Sequence, residues 1–197
     1  ILIEKRLQIR DGLAILALGE YARGLPLPAA GRPIAWGVTF SAKYARDLGL
    51  DPRQTLQDIL GELKPARVRL VAYWDVLEPE KGSYAFEELE WQIAAARGAG
   101  VPVLLAVGLK TPRWPECHTP HWAAGDDPEV LEAALREYLR AVVEFTRSNS
   151  AIIAWQMENE PFLPYGECPR RGEDFLEKEI ALIRELDTRP IVVTDGG

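Results

Sequence analysis

Between Ala151 and Pro161 the chain reads AIIAWQMENEP, an apolar run that stops abruptly in two carboxylates, an amide and a proline. Such a run predicts a buried strand, and Pro161, with no N–H to give a ladder, closes it. Ionisable groups at the C-terminal end of a buried strand stand where α/β enzymes keep their chemistry. Glu158 and Glu160 share strand parity, with Glu158 one pleat repeat deeper, so periodicity does not choose between them.

Further residues could act. Arg67 and Arg69 lie on one face of an expected strand, where a guanidinium can keep a nearby carboxylate ionised or sit in a structural ion pair. Trp74, Trp114 and Trp122 belong to loops expected after strands; an indole there can grip the apolar face of a sugar or pack its own loop. Cys117, His118, His121 and Cys168 invite a zinc reading, but their spacing matches no compact ligand pattern. A disulfide between Cys117 and Cys168 is the stronger expectation, because loops after neighbouring parallel strands lie side by side; two buried free thiols are the alternative. Asp75, Glu78 and Asp195 read as caps, solvated charges or substrate contacts rather than catalytic bases.

Positioning these groups requires a regular frame, and the chain supplies one from Ile34 onward. Strands are predicted over 35–40, 67–72, 101–107, the run before Glu160, and 191–194. Asp51-Pro52 opens a helix with an N-cap carboxylate, Gln54 at the capping-box place, and an apolar stripe of Leu56, Ile59, Leu60 and Leu63. Further helices are predicted over 86–97, 128–147 and 174–186. Alternation of strand and helix predicts a parallel sheet with right-handed crossovers. Five strands and four helices make just over half of an eight-stranded α/β barrel, so a truncated TIM barrel over residues 34–197 is expected, with a small open sheet as the rival. Residues 1–33 form an N-terminal segment ending in the Pro/Gly-rich connector GLPLPAAGRP, where a domain boundary is expected.

The ending Asn159-Glu160-Pro161, with Trp155 four residues before the Asn, resembles the fourth barrel strand of the clan A glycoside hydrolases, the cellulase-like and β-galactosidase-like (β/α)8 enzymes. Trp74, Glu78-Pro79, Gly82-Ser83-Tyr84-Ala85-Phe86 and Leu89 are similar to the same clan's segment between its second and third strands. Arg69 and Trp74 keep the interval found in the family 5 cellulases. The third strand departs from that family, ending Leu105-Ala106-Val107-Gly108 where family 5 carries Asp-x-His, so the resemblance is to the clan.

It implies a retaining glycoside hydrolase acting on a β-linked glycan or glycoside, with Glu160 as general acid/base and Asn159 holding the sugar 2-hydroxyl. Arg69 would keep the nucleophile ionised, and Trp74, Trp114 and Trp122 would bind substrate. The nucleophile is expected on a seventh strand outside this chain, which by itself is expected to be inactive. No cofactor and no metal is expected. A carbohydrate-binding pseudoenzyme and a small open-sheet domain of unrelated role are the rival readings, and a Glu ending a seventh strand further along the reading frame would favour the enzyme.

The composition agrees with a sugar as partner. The chain of 197 residues carries a net charge of -7, which opposes binding to nucleic acid or an anionic membrane but not to a neutral ligand. The longest uncharged apolar stretch, Gly12 to Gly19, is far shorter than the roughly 20 residues of a membrane span. Ile1 rather than Met begins the sequence, so the segment could be the stump of a signal or anchor. A disulfide would place the protein in an oxidising compartment, extracytoplasmic or secreted, with membrane anchoring through a missing N-terminal segment as one form of that.

Overall fold

A computed structural model describes residues 34–125 and 127–195. The N-terminal segment, and the boundary expected in its connector, lie outside the described residues. Strand β1 (Gly37–Thr39) is followed by helices α1 (Ala42–Asp47) and α2 (Pro52–Asp58), the latter prolonged by a π-helical turn at Ile59–Leu63. Strand β2 (Arg67–Val71) leads through the short α3 (Trp74–Leu77) to α4 (Glu87–Gly98). Strand β3 (Val103–Val107) precedes α5 (Pro128–Thr146), and β4 (Ile152–Met157), α6 (Glu173–Leu186) and β5 (Ile191–Val192) complete the order.

Local chemistry fixes the helix starts. The Asp51 carboxylate accepts the Gln54 N–H at 2.8 Å and that of Asp127 accepts the Glu129 N–H at 2.9 Å, each ahead of a proline at the first helical position. The capping box expected at Gln54 is half made, because its side-chain amide donates to Asp58 at 2.7 Å instead of turning back. Helices α1 and α3 have no counterpart in the sequence reading, being too short to display a period. A cap sets α1 all the same: the Ser41 hydroxyl accepts the Tyr44 N–H at 3.0 Å.

All five strands are parallel, in the order β1-β2-β3-β4-β5. One sheet face buries Val68, Leu70, Val103, Leu105, Trp155 and Met157 in the core formed with the helices. The other face, the interior of a barrel, carries Thr39 opposite Arg69, and Val71, Ala106 and Gln156 in one row. In β4 the register slips: Ile152 faces Val103, Ala154 faces Leu104, and Ile153 is left between them. This bulge puts Trp155 and Met157 on the helix side and Gln156 on the barrel side. A parallel sheet with helices on one face and polar side chains gathering at the strand ends of the other is the arrangement of a (β/α)8 barrel, of which the described residues form five consecutive strands.

The loop after β2 corrects one expectation. Trp74 is 1% exposed and offers no face to a substrate. Its ring stacks on Tyr138 with centroids 5.6 Å apart and meets Trp122 edge-on at 5.8 Å, while its N–H donates to Glu78 at 2.7 Å. A large apolar ring gains most from burial when its one donor finds an acceptor inside, and Glu78 supplies that acceptor while also taking the Gly82 N–H at 2.8 Å. Half-buried Trp122 donates to the Glu78 carbonyl at 2.9 Å.

Trp74→Ala should therefore cost about 3–5 kcal/mol in denaturant unfolding, whereas Trp114→Ala, with its ring 59% exposed, should stay within about 0.5 kcal/mol. Comparable losses for the two would contradict this division.

Candidate active site

Strand β4 stops at Met157, and the two carboxylates beyond it do not continue the pleat. Glu158 and Glu160 both take left-handed backbone, at φ 56° and 50°, so strand parity does not apply to them. Such a conformation is unfavourable for a residue with a Cβ and persists only where surrounding contacts enforce it.

The contacts around Glu158 are of that kind. Its buried carboxylate accepts the N–H groups of Leu109 and Lys110 at 2.6 and 2.7 Å. It lies over Gly108, φ 136°, where a Cβ would stand 2.2 Å from Oε1. Beside it, on α6, is Glu179, whose two carboxylate oxygens have no donor among the described residues. Burial, and then the proximity of Glu158, raise the Glu179 pKa well above the ordinary carboxylate range. Burial also pushes Glu158 up, to about 7, against the pull of the two amides. Two buried acids side by side favour sharing one proton over carrying two charges. Glu158 is thus a fastening, not a solvent-facing acid.

Glu160 is placed differently. Its N–H donates to the Thr194 hydroxyl at 3.1 Å and its carbonyl accepts from the buried Lys110 ammonium at 2.9 Å, which also donates to the Leu163 carbonyl at 2.7 Å. Its carboxylate is partly exposed and makes no hydrogen bond among the described residues. Arg69 reaches the same end of the sheet, donating to the Thr39 hydroxyl at 3.0 Å and to Gln156 at 2.9 Å. Burial, then Arg113, lower the Arg69 pKa, and Tyr73, Glu160 and Glu116 oppose them. Arg67, of the same parity, is exposed at the start of β2, so position along the strand separates what parity could not.

Asn159 is buried, and its side-chain NH2 donates to Glu116 at 3.0 Å. Glu116 has no precedent in the sequence reading. It lies in the loop after β3, at φ 73°, directly after the cis Trp114–Pro115 peptide, and only the fold brings it to Asn159. That loop is joined to the loop after β4 by the Cys117–Cys168 disulfide, Cα atoms 5.2 Å apart. On the two joined loops Trp114 and Tyr165, both exposed, meet edge to face at 6.0 Å. Tyr165, too, was not singled out in the sequence. His118 lies beneath the rim, its Nδ1 accepting from the Lys43 ammonium at 2.9 Å and its Nε2–H donating to the Arg113 carbonyl at 3.1 Å. Burial, then Lys43, lower its pKa to about 4, so the ring is neutral.

Known proteins share this fold. Residues 51–140 match the Glyco_hydro_42 family model, described as beta-galactosidase. Beta-galactosidase BbgII of Bifidobacterium bifidum is 28% identical, the match covering 59% of this chain and 20% of that protein. A glycoside hydrolase of subfamily GH5_18 from Streptomyces cattleya, solved with GlcNAc, superposes with a TM-score of 0.64 at 20% identity, over 84% of this chain and 45% of its own. Endo-glycoceramidase II from Rhodococcus sp., solved as a lactosyl-enzyme intermediate, superposes with a TM-score of 0.61 at 17% identity, over 83% and 50%. The fold is that of the clan A (β/α)8 glycoside hydrolases, and the chain spans about half the length of these solved relatives and a fifth of the curated one.

Two measurements test the fastenings. Replacing Cys117 and Cys168 by Ser should cost about 4 kcal/mol, the chain entropy of a loop spanning 51 residues, and alkylation without reductant should label neither cysteine; two labels in native protein would exclude the bond. Glu179→Gln should act through pH. The folded-state pKa values of the acid pair exceed the unfolded ones, so the folded state binds more protons and wild-type stability falls as pH rises from the ordinary carboxylate range through about 7. The variant, whose neutral amide beside Glu158 has no proton to lose, should match wild type near pH 5 and have a Tm increasingly above that of wild type toward pH 9. A difference in Tm independent of pH would rule out the shared proton.

Proposed function

We propose that this chain forms part of the catalytic domain of a retaining glycoside hydrolase for β-linked glycans or glycosides, with Glu160 as general acid/base. One observation carries the reading: at the end of β4, Glu158 is buried against backbone amides, while Asn159 and the Glu160 carboxylate, which has no hydrogen bond among the described residues, are presented near Arg69. Retention needs a second, ionised carboxylate about 5–5.5 Å from the acid, which would come from outside the described residues. Arg69 is suited to favour its charged form, and Asn159 to hold the sugar 2-hydroxyl. Trp114 and Tyr165 offer exposed aromatic faces to a sugar, as Trp74 does not. The beta-galactosidase description of two of the matches makes aryl β-galactosides the first substrates to try. The disulfide supports an oxidising, extracytoplasmic or secreted location. Among the described residues no helix is long and apolar enough to cross a membrane.

In the intact protein, Glu160→Ala should lower turnover of glycosides with poor leaving groups by about 10²–10⁴-fold, yet leave glycosyl-enzyme formation from an activated aryl glycoside. Azide, which needs no general base, should then restore turnover and give the β-glycosyl azide. Natural-substrate turnover within a few-fold of wild type, or the same acid/base profile in Glu158→Ala, would overturn the assignment.

A further inference from the structure

We propose that Glu116 is a positioning residue: its carboxylate fixes the orientation of the Asn159 amide and so sets which group that side chain turns toward a substrate. The inference rests on the glycosidase reading for its kinetic consequence, but its geometry stands by itself. An Asn amide can turn over, exchanging a donor for an acceptor, unless its neighbours accept only one arrangement. Here they do. At one end of a row of side chains stands Arg69, which can only donate, and at the other a carboxylate, which when ionised can only accept. Arg69 donates to Gln156 Oε1 at 2.9 Å, which leaves Gln156 Nε2 to face Asn159 Oδ1 at 3.5 Å and the Glu158 carbonyl at 2.9 Å. Asn159 Nδ2 then donates to Glu116 Oε2 at 3.0 Å. The polarity of the row is thus set from both ends, and Nδ2 retains a second hydrogen for a sugar hydroxyl.

Glu116 is built to stay where it is. Its N–H donates to the Arg113 carbonyl and its carbonyl accepts the Thr111 N–H, both at 2.7 Å. Gly166 closes over it so tightly that a Cβ there would come within 2.7 Å of the Glu116 Cβ, and the next residue, Cys117, is disulfide-bonded to the loop after β4. An acid held at φ 73°, 6% exposed, with the Asn159 amide on one oxygen, is placed more tightly than a solvated loop charge requires.

The test compares Glu116→Ala, Glu116→Gln, Asn159→Ala and the double variant combining Glu116→Ala with Asn159→Ala in the intact protein, on an aryl β-galactoside and its 2-deoxy counterpart. Glu116→Ala should lower kcat/KM on the 2-hydroxy substrate by about 10–100-fold, as loss of orientation does, and should barely change the 2-deoxy substrate. Glu116→Gln, whose amide oxygen can accept the same bond, should recover most of the loss. The double variant should be no worse than Asn159→Ala, because the two residues act through one hydrogen bond. Equal losses on both substrates, additivity in the double variant, or no recovery by Gln would overturn the proposal. A readout independent of turnover separates it from the glycosidase reading: the Asn159 side-chain NH2 resonances, assigned by their loss in Asn159→Ala, should show one proton shifted downfield by the carboxylate and collapse toward solvent-like positions in Glu116→Ala. If they do not move, Glu116 does not position Asn159, whatever the enzyme's activity; if they move while no glycoside is turned over, the positioning stands and the glycosidase reading fails.

Discussion

The Glu158 carboxylate accepts hydrogen bonds from the N–H groups of Leu109 and Lys110, and the course of the chain on either side of it follows from those two bonds. A buried carboxyl is costly to desolvate, so it stays only where donors and a shared proton meet it. Two amides at the end of β3 and the neighbouring Glu179 meet both conditions. Once Glu158 is turned into the layer between sheet and helices, the left-handed step at residue 158 sends Asn159 and Glu160 toward the barrel mouth. Gly108 makes room for the carboxylate and Lys110 holds the carbonyls of the next turn, so each piece of this corner depends on the others.

The strands and long helices were legible because their periods are set by burial, and burial of one face of a parallel sheet is a local pattern. The motif through Pro161 was legible for a related reason: it is contiguous. What periodicity could not supply was the geometry just past the strand, where two left-handed residues replace the pleat and separate Glu158 from Glu160 more sharply than depth would. Trp74 was misread because a segment that resembles a family's can do so for its packing, and here the ring, Glu78 and Tyr138 form one buried unit. Glu116 was illegible in principle, since its partner is 43 residues away and the loop that carries it has no period. Glu179 did leave a trace: it occupies a place on the stripe of Phe175, Leu176, Leu182 and Ile183, where a carboxylate does not belong unless something inside receives it.

The site divides into a fixed part and a presented part. Asn159 and Glu116 are buried and bonded, and the loops that carry them are covalently joined. Trp114 and Tyr165 stand on the same loops with their rings exposed. Exposed aromatic surface on backbone that is held from below loses little conformational freedom when it meets a ligand, which is the condition under which stacking contributes most to affinity.

The unpaired Ile153 in β4 has a consequence of a different sort. Its side chain is 39% exposed and lies outside the buried core, so its identity is weakly constrained. The count of residues is as loosely held at this point: with Ile153 removed, Ile152 opposite Val103 and Ala154 opposite Leu104 become consecutive pairs of an unbroken ladder, and Trp155, Gln156 and Met157 keep their faces. From Ala154 onward the ladder is regular, and one residue lost there would turn every later side chain to the other face. Natural variants should therefore differ by a residue in length between Asn149 and Ala154 but not between Ala154 and Pro161.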